Sequence, residues 1–346
     1  MVQNLYTKRS VTAHDLWLAS SILRKQFHID ERCMTGHICE VTCTRFPRGA
    51  ETEVGSYEVK SMRYLRKLLM AGMVLLVGVS AALAQMTFTT IDVPGAKITV
   101  ADGINTAGDV VGYYGQSSTG PVHGFLLRAG EFAFFDYPGA DSTLATAIND
   151  SGLIAGYAEF GTQVKGFLYD GNMFTDVTAG NRSATFVMGM NNLGDLVGGA
   201  GTIYGTQGFL FRIGQFRKIQ PSGSFDYVYA AGISDLGWIV GFTSAGLAVH
   251  GFQYKHGVFQ KVDFPGSQTT ELWGINNSGL AVGWYGIGNQ YSGFTLFRGK
   301  YTTFAYPGAQ GTFPRSVNAG GESVGDYLLS DGTVHGFVAT GVVPVR

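Results

Sequence analysis

The chain has 346 residues, a net charge of −1 at neutral pH and only 14% charged residues, but it contains 51 glycines. A charge balance so close to neutral gives no electrostatic footprint for DNA or RNA, so we expect no nucleic-acid partner. Many glycines with few strong helix formers favour short strands and tight turns over helices.

The first 61 residues match no other part of the chain, and we interpret residues 1–61 as a non-native extension from an over-extended reading frame. All three cysteines lie here, at Cys33, Cys39 and Cys43. A zinc site with His37 is the alternative use of these thiols, but the spacing fits no familiar template. Because the rest of the chain has no cysteine, we expect no thiolate chemistry there, and we expect no metal and no cofactor.

Residues 62–84 have the three parts of a secretory signal peptide. Basic side chains lie between positions 63 and 67, residues 68–79 are apolar, and Ala82-Leu83-Ala84 is a small-x-small cleavage site. We therefore expect cleavage near Ala84-Gln85, a secreted or periplasmic location, and contact with a membrane only during export. The alternative is an uncleaved anchor over residues 68–84 behind a cytoplasmic tail, which is short for crossing a bilayer.

Residues 85–346 consist of a repeat of about 42 residues. Each unit has the pattern Asn-x-x-Gly-x-x-x-Gly, with Ser234 replacing Asn in the fourth unit, and a Gly-Phe pair ten to twelve residues later. A period this regular indicates one supersecondary unit copied six times around a continuous core. The Gly-Phe pairs begin at Gly124, Gly166, Gly208, Gly251, Gly293 and Gly336.

Each unit divides into apolar runs separated by turn signals. In the second unit the first three runs are Thr143–Asn149, Leu153–Tyr157 and Gly166–Tyr169, and a fourth run follows. The tetrapeptide that starts at Asn149 joins the first two runs, and Asp170-Gly171 joins the last two; both are tight-hairpin sequences. Four-stranded antiparallel units of this length, repeated in tandem, are typical of a β-propeller.

The two ends of the repeat region complement each other. Phe88–Asp92 matches the fourth run of a unit, and Gly336–Ala339 matches a third run. If they pair, both ends complete the last unit and the ring has no open edge. We therefore predict an all-β fold, a six-bladed β-propeller of four-stranded antiparallel blades closed by the N-terminal strand, and a monomer. The alternative, an open β-solenoid, would not explain this offset.

Several residues recur for structural reasons. The Phe of each Gly-Phe pair is expected to pack between blades. The Asn that begins each motif is expected to stabilise its turn, because a calcium loop would need more carboxylates. His123, His250 and His335 are expected at blade edges. An Asp ending several fourth strands is expected to bond the adjoining turn. These residues are Asp92, Asp136, Asp176 and Asp263.

Two alternating positions on the first strand of each unit differ from unit to unit, although their neighbours stay small. Symmetry constrains structural positions, so positions that break it are candidates for ligand binding, and drift in a solvent-filled channel is the alternative. A mixture of carboxylate, guanidinium and aromatic groups at a channel mouth suits a saccharide or a peptide. The candidate ligand-binding residues are Asp102, Tyr229, Glu271, Trp273 and Arg315.

These observations predict a secreted, non-catalytic binding or scaffold protein whose partner is an extracellular glycan, peptide or protein. Recognition would use the channel mouth and the variable loops between second and third strands. The alternative is a propeller-type glycan hydrolase or lyase, in which Asp102 and Glu271 would supply two carboxylates. No catalytic residue is assigned, because residues 85–346 contain no known catalytic motif. The loop aromatics are Tyr113, Tyr114, Phe160, Tyr204, Tyr285 and Tyr291.

The motif is best preserved in the first unit, where Gly103-Ile104-Asn105 leads to Gly112-Tyr113 and then to His123-Gly124-Phe125-Leu126. This pattern resembles the repeat of the HAF family of extracellular repeat proteins. The resemblance covers about residues 86–340 and departs at Gly124 and its equivalents, where the family's aromatic motif has Ala. It implies an exported protein, and it carries over no activity and no catalytic residue.

Overall fold

The computed structural model describes residues 86–117, 119–180, 182–202 and 205–341. These residues are all-β, with 24 strands in one sheet and no helix. The segments 1–61 and 62–84, and Tyr204, lie outside the described residues, so the expectations for them stay predictions. Within the described part of the chain, no helix is long and apolar enough to span a membrane.

The strands are numbered in chain order. The first nine are β1 (Thr87–Ile91), β2 (Ile98–Ile104), β3 (Val110–Gly115), β4 (Val122–Arg128), β5 (Glu131–Phe135), β6 (Ser142–Ile148), β7 (Ile154–Phe160), β8 (Gln163–Tyr169) and β9 (Phe174–Val177). The next eight are β10 (Ala184–Met190), β11 (Leu196–Thr202), β12 (Gly205–Arg212), β13 (Gln215–Ile219), β14 (Tyr227–Ile233), β15 (Ile239–Ala245), β16 (Ala248–Lys255) and β17 (Val258–Val262). The last seven are β18 (Thr269–Ile275), β19 (Ala281–Ile287), β20 (Gln290–Phe297), β21 (Lys300–Phe304), β22 (Gly311–Val317), β23 (Ser323–Leu328) and β24 (Val334–Thr340).

Consecutive strands form antiparallel meanders of four. β2 pairs with β3, β3 with β4 and β4 with β5. The same order recurs in β6–β9, β10–β13, β14–β17 and β18–β21. The four strands predicted for the second unit are therefore confirmed as β6–β9.

The last meander is built from both ends of the described chain. β22 pairs with β23 and β23 with β24, and β1 supplies the fourth strand by pairing antiparallel with β24. The register runs from Thr87 opposite Thr340 to Ile91 opposite Gly336. The ring of Phe88 packs against Phe337 with 5.6 Å between ring centroids. The predicted pairing of the first strand with the last is therefore confirmed.

The first strands of the meanders, which we call the inner strands, are β2, β6, β10, β14, β18 and β22. Each inner strand contacts the next along the chain, and β22 contacts β2. A parallel bridge between Ile98 and Val334 and a hydrogen bond from Asn318 Nδ2 to the Asn105 carbonyl, 3.1 Å long, lie at this closure. Antiparallel meanders that radiate from a closed ring of inner strands make a β-propeller fold.

The Phe of each Gly-Phe pair is part of the core, as predicted. Each of these rings is at most 3% exposed and packs in an apolar cluster or against neighbouring aromatic rings. Burial of such a ring contributes a few kcal/mol in most cores, about 3–5 kcal/mol by truncation to Ala. These residues are Phe125, Phe167, Phe209, Phe252, Phe294 and Phe337.

The Asn that begins each motif has two roles, of which only the first was predicted. The Asn149 Oδ1 atom accepts hydrogen bonds from the backbone N–H groups of Ser151 and Leu153, at 3.1 and 3.0 Å, and so fixes its own turn. The amide group of Asn105 donates to the Asn149 carbonyl of the next unit, at 3.4 Å. Asn191 and Asn276 donate in the same way to the following turn. Asn can therefore link neighbouring units, which Asp cannot do because it lacks the donor.

The prediction that Asp residues at the ends of fourth strands bond the Pro-Gly turn is wrong. The turn N–H is bonded instead by a threonine of the next inner strand, as when Thr143 Oγ1 accepts from Tyr137 N at 2.9 Å. The carboxylates turn to the third strand, where the Asp136 Oδ2 atom lies 2.9 Å from His123 Nδ1. His250 pairs with Asp263 and His335 with Asp92 in the same geometry. These His residues are thus held in local pairs on the outer strands.

Candidate functional site

Every inner strand carries a β-bulge at the same place. On β2 the pairing with β3 shifts between Ala101 and Gly103, so Asp102 has no partner on the neighbouring strand. The other inner strands show the same shift. A bulge redirects the side chain of its unpaired residue. The bulge residues are Asp102, Thr146, Met188, Ala231, Trp273 and Arg315.

The six bulge residues line one axial cavity of about 100 Å³. Its rim is formed by the turns between the first and second strands, including Asn105, Asp150, Asn192 and Asp235. The cavity therefore opens on the face of the Asn-x-x-Gly turns. The prediction that recognition combines the channel mouth with the loops between second and third strands is wrong for this cavity, because those loops lie at the opposite ends of the strands.

The second glycine of the repeat motif makes room for the bulge. A Cβ atom on Gly112 would lie 1.9 Å from the carbonyl oxygen of Val100, the residue two before Asp102. A Cβ on Gly241 would lie 2.0 Å from the carbonyl oxygen of Tyr229. The inner-strand carbonyl thus occupies the space of a side chain on the second strand, and only glycine permits this approach.

The small residue after each bulge lets neighbouring inner strands meet. A Cβ on Gly232 would lie 2.5 Å from the carbonyl oxygen of Trp273 and 3.1 Å from the Cα of Gly274. A Cβ on Gly274 would lie 2.8 Å from the Cα of Ser316. Neighbouring inner strands therefore pack backbone against backbone here, and the side chains at the six bulges differ from strand to strand.

Arg315 is held by two partners. Its Nε atom donates to Asp326 Oδ1 at 2.8 Å, and its guanidinium carbon lies 4.3 Å from the centroid of the Trp273 ring. Trp273 is itself fixed by a hydrogen bond from its Nε1 atom to Glu271 Oε2 at 2.9 Å. Burial alone would lower the pKa of Arg315, but the carboxylates of Asp326 and Asp102 raise it above its usual value. The guanidinium is therefore a fixed positive charge in the cavity wall.

Asp102 is different, because no described residue donates a hydrogen bond to its carboxylate. It is 9% exposed and lines the cavity. Burial raises the pKa of the Asp102 carboxyl from 3.8 to about 7, although the charge of Arg315 lowers it. A carboxylate desolvated without a direct partner is costly, and it favours the neutral form unless a cation or donor arrives.

Tyr229 and Glu271, the remaining candidates, occupy the earlier of the two variable positions. Neither lines the axial cavity. Tyr229 packs in an aromatic group with Phe186 and Phe242, at centroid distances of 6.0 and 5.4 Å. Burial raises the pKa of Glu271 to about 7, against the hydrogen bond from Trp273 and the charge of Arg315. Glu271 thus fixes the Trp273 ring through its hydrogen bond without lining the cavity itself, and Tyr229 belongs to the adjacent aromatic group.

A chain of hydrogen bonds follows the rim. The backbone N–H of Thr106 donates to Asp150, that of Asp150 to Asn192, that of Asn192 to Asp235, and that of Asp235 to Asn277, each at 2.8 Å. In the last unit Ala319 stands at this position and has no side-chain acceptor. No group of three or more His, Cys, Asp or Glu side chains suited to a metal ion occurs among the described residues.

The aromatic residues of the loops between second and third strands were expected to serve recognition, but several of them pack against neighbouring rings. Tyr285 stacks on Phe264 with ring centroids 3.7 Å apart. Tyr114 packs against Phe134 at 4.9 Å, and Phe160 packs against Tyr137 at 5.6 Å. Tyr291 is 39% exposed. Most of these rings therefore pack against their own meander or against the connection that precedes it.

The bulges could have been predicted from the amino-acid sequence, but they were not. A glycine conserved at one place in every unit of a strand marks a bulge or a close backbone approach. Gly112 and its equivalents carried that signal. Asp326 was also missed, because its equivalents in other units are Tyr113, Tyr157 and Phe242, and an isolated acid in one unit has no pattern to reveal it.

Comparison with known proteins gives no family. No family model matches the chain, and no curated protein matches it. Among solved structures, a streptogramin B lyase is 12% identical with a TM-score of 0.43, over 77% of this chain and 90% of that one. TolB from Acinetobacter baumannii is 12% identical with a TM-score of 0.46, over 68% and 65%. The β-propeller domain of a trilobed protease from Pyrococcus furiosus is 10% identical with a TM-score of 0.43, over 69% and 80%. At these scores the likenesses carry no argument about activity.

Proposed function

We propose that this chain is an exported six-bladed β-propeller of the HAF repeat type, and that it binds an extracellular ligand in its axial cavity without transforming it. The blade number is supported by the ring of inner strands and by the pairing of β1 with β24. Export is supported by the signal-peptide pattern of residues 62–84. The ligand is a saccharide or a peptide, or the corresponding part of a glycan or protein.

The observation that carries the proposal is the set of bulge side chains. The backbone around the axis repeats closely, yet the six bulge residues that line the cavity carry an acid, a hydroxyl, a thioether, a methyl group, an indole and a guanidinium. Arg315 and Asp102 are desolvated there at a cost in stability. Charged groups that destabilise the fold and line a cavity are typical of a binding site.

The cavity has one polar side and one apolar side. Arg315 and Asp102 come from adjacent inner strands and make one side polar, with Trp273 next to Arg315. Met188 and Ala231 make the other side apolar. The hydroxyl of Thr146 is turned to the Val187 carbonyl at 2.9 Å, so it adds little polarity. A ligand with a polar end and a less polar body would therefore bind in one orientation.

Nothing in the geometry favours a hydrolase or lyase over a binding protein. Two carboxylates were considered for catalysis, Asp102 and Glu271. Burial raises the pKa of each to about 7, and a general acid needs such a value to stay protonated near neutral pH. Asp102 lines the axial cavity, whereas Glu271 does not and is bonded to Trp273. The pair therefore does not flank a common reaction site in this cavity.

The test is binding to glycan and peptide arrays, followed by calorimetry, with a variant that fills the cavity. Ala231→Met places at one bulge the side chain that Met188 already places at another, so the fold should tolerate it. We expect it to weaken a genuine axial ligand at least tenfold. Arg212→Met is the control, because Arg212 pairs with Asp195 and does not line the axial cavity. A ligand that binds both variants and the parent equally does not use the cavity, and the proposal would fail.

A further inference from the structure

One group in the axial cavity has no assigned partner. The Asp102 carboxylate is nine-tenths buried, lines the cavity, and receives no hydrogen bond from any described residue. The next charged group, Arg315, has its ion pair with Asp326, whose Oδ1 atom is 2.8 Å from Arg315 Nε. Asp326 is itself buried and does not line the cavity. The Arg315–Asp326 pair is therefore neutral as a unit, and Asp102 adds one uncompensated negative charge when its carboxyl is ionised.

The surroundings of Asp102 add no second cation. The charged and titratable groups that act on it are Arg315 from β22 and Asp326 from β23, and its charge acts in turn on Tyr113 of β3 and Tyr157 of β7. The rim adds the carboxylates of Asp150 and Asp235, which accept hydrogen bonds only from neutral amide and hydroxyl groups. Among the described residues that line the cavity, Arg315 is the sole cation. With Asp102 ionised, the axial field is therefore negative and attracts positive charge from solution.

We propose that Asp102 binds a primary ammonium group of the ligand that occupies the axial cavity. This rests on the proposed function, because it requires that the cavity binds a ligand at all. An ammonium group supplies three hydrogen-bond donors and one positive charge, which are what the buried carboxylate lacks. Both an amino sugar and a lysine side chain carry this group, and they are the cationic forms of the two ligand classes proposed above.

Anionic and neutral ligands fit less well. A carboxylate or phosphate could bond Arg315, but it would then lie beside Asp102 and inside a negative rim. A neutral hydroxyl could donate to Asp102, but it would leave the negative charge uncompensated in a desolvated site. A charge-assisted hydrogen bond is about twice as strong as a neutral one, so the ammonium group gains most from this site.

Binding should be linked to proton release. Burial leaves the pKa of the empty Asp102 carboxyl at about 7, and a bound cation requires the ionised form. The affinity for a lysine-type amine should therefore rise about tenfold between about pH 5.5 and about pH 7, where the amine itself stays charged. A neutral ligand would show no such rise.

The experiment is calorimetry on the secreted protein with two amines and their uncharged counterparts. The probes are glucosamine and Nα-acetyl-lysine amide, compared with N-acetylglucosamine and diacetyl-lysine amide. We expect each uncharged counterpart to bind at least tenfold more weakly than its amine. The amine that binds more tightly identifies the source of the ammonium group, a sugar or a peptide.

Asp102→Asn is the decisive variant, since it keeps the shape and removes the charge. We expect it to weaken binding of the amines about 10- to 100-fold and to abolish the rise with pH. Asp136→Asn, which alters an exposed carboxylate paired with His123, should leave both unchanged.

The outcomes separate the two proposals. If the uncharged probes bind as tightly as the amines, and Ala231→Met weakens them while Asp102→Asn does not, the ammonium proposal is wrong and the axial site stands. If neither amine binds, the ammonium proposal is also wrong. If probes bind but Ala231→Met affects none of them, the axial site itself is refuted together with the inference.

Discussion

Replacing Asp102 by Asn should change how the stability of the protein depends on pH. In the folded protein burial holds the pKa of this carboxyl at about 7, whereas its ordinary value is 3.8. Between these two values the folded state keeps a proton that the unfolded state releases. The free energy of unfolding therefore falls as the pH rises from about 4 to about 7. Asn cannot ionise, so the variant should lose this part of the decline.

The size of the effect follows from the two pKa values. Each pH unit inside the window corresponds to about 1.4 kcal/mol. From about pH 5 to about pH 8, ionisation of Asp102 should therefore lower the free energy of unfolding of the parent protein by about 2 to 3 kcal/mol, and the variant should not show this decrease. Glu271, with a pKa also raised to about 7, contributes a similar decline in both proteins. The variant should thus show a reduced slope rather than a flat profile.

The measurement is urea unfolding of the parent and of Asp102→Asn at the two pH values, followed by tryptophan fluorescence. The difference in unfolding free energy between them should grow towards high pH in favour of the variant. Asp136→Asn serves as the control and should follow the parent. If Asp102→Asn is less stable than the parent at about pH 8, the carboxylate has a stabilising partner and the description of Asp102 as unpaired is wrong.

Three further changes test the fold. Gly241→Ala places a Cβ 2.0 Å from the carbonyl oxygen of Tyr229, so thermal unfolding should show a loss of stability of about 2 to 3 kcal/mol. The control Gly205→Ala has its nearest contact at 3.2 Å and should cost less in the same assay. Phe88→Ala removes the aromatic contacts of β1 with β24 and should lower the free energy of unfolding in chemical denaturation by about 2 to 4 kcal/mol. Thr89→Ala changes an exposed residue of the same strand and should alter it by no more than about 0.5 kcal/mol. Equal effects of the two changes would mean that β1 does not hold the ring closed. Ser234→Asn should add the missing amide link to the next turn and raise the free energy of unfolding by about 1 kcal/mol, and a loss of stability would contradict the linking role of Asn.

Sequence predicted much of the fold because a repeat multiplies weak signals. A single Asn-x-x-Gly turn is ordinary, but its recurrence with Gly-Phe located the meanders, and the offset between Phe88–Asp92 and Gly336–Ala339 located the closing pair. The candidate site was predicted in part. Asp102, Trp273 and Arg315 share the axial cavity, whereas Tyr229 and Glu271 do not line it.

The remaining features of the site could not be predicted from the spacing of residues along the chain. Strict alternation places residues two apart on the same face of a strand, and the bulge breaks that rule at the positions of interest. The wrong expectation for the Asp residues that end fourth strands has a similar origin. Asp136 is near the turn in sequence, but the neighbouring strand places His123 beside it and Thr143 beside the turn N–H.

The sharing of one meander between the two ends of the chain has a consequence for biogenesis. During synthesis, β1 is made some 250 residues before its partner β24. For that whole interval the strand has unsatisfied backbone groups and an apolar side chain at Phe88, which makes it a site for chaperone capture or for pairing with another nascent copy. Products that stop short of β24 should therefore associate with one another more readily than products that include it.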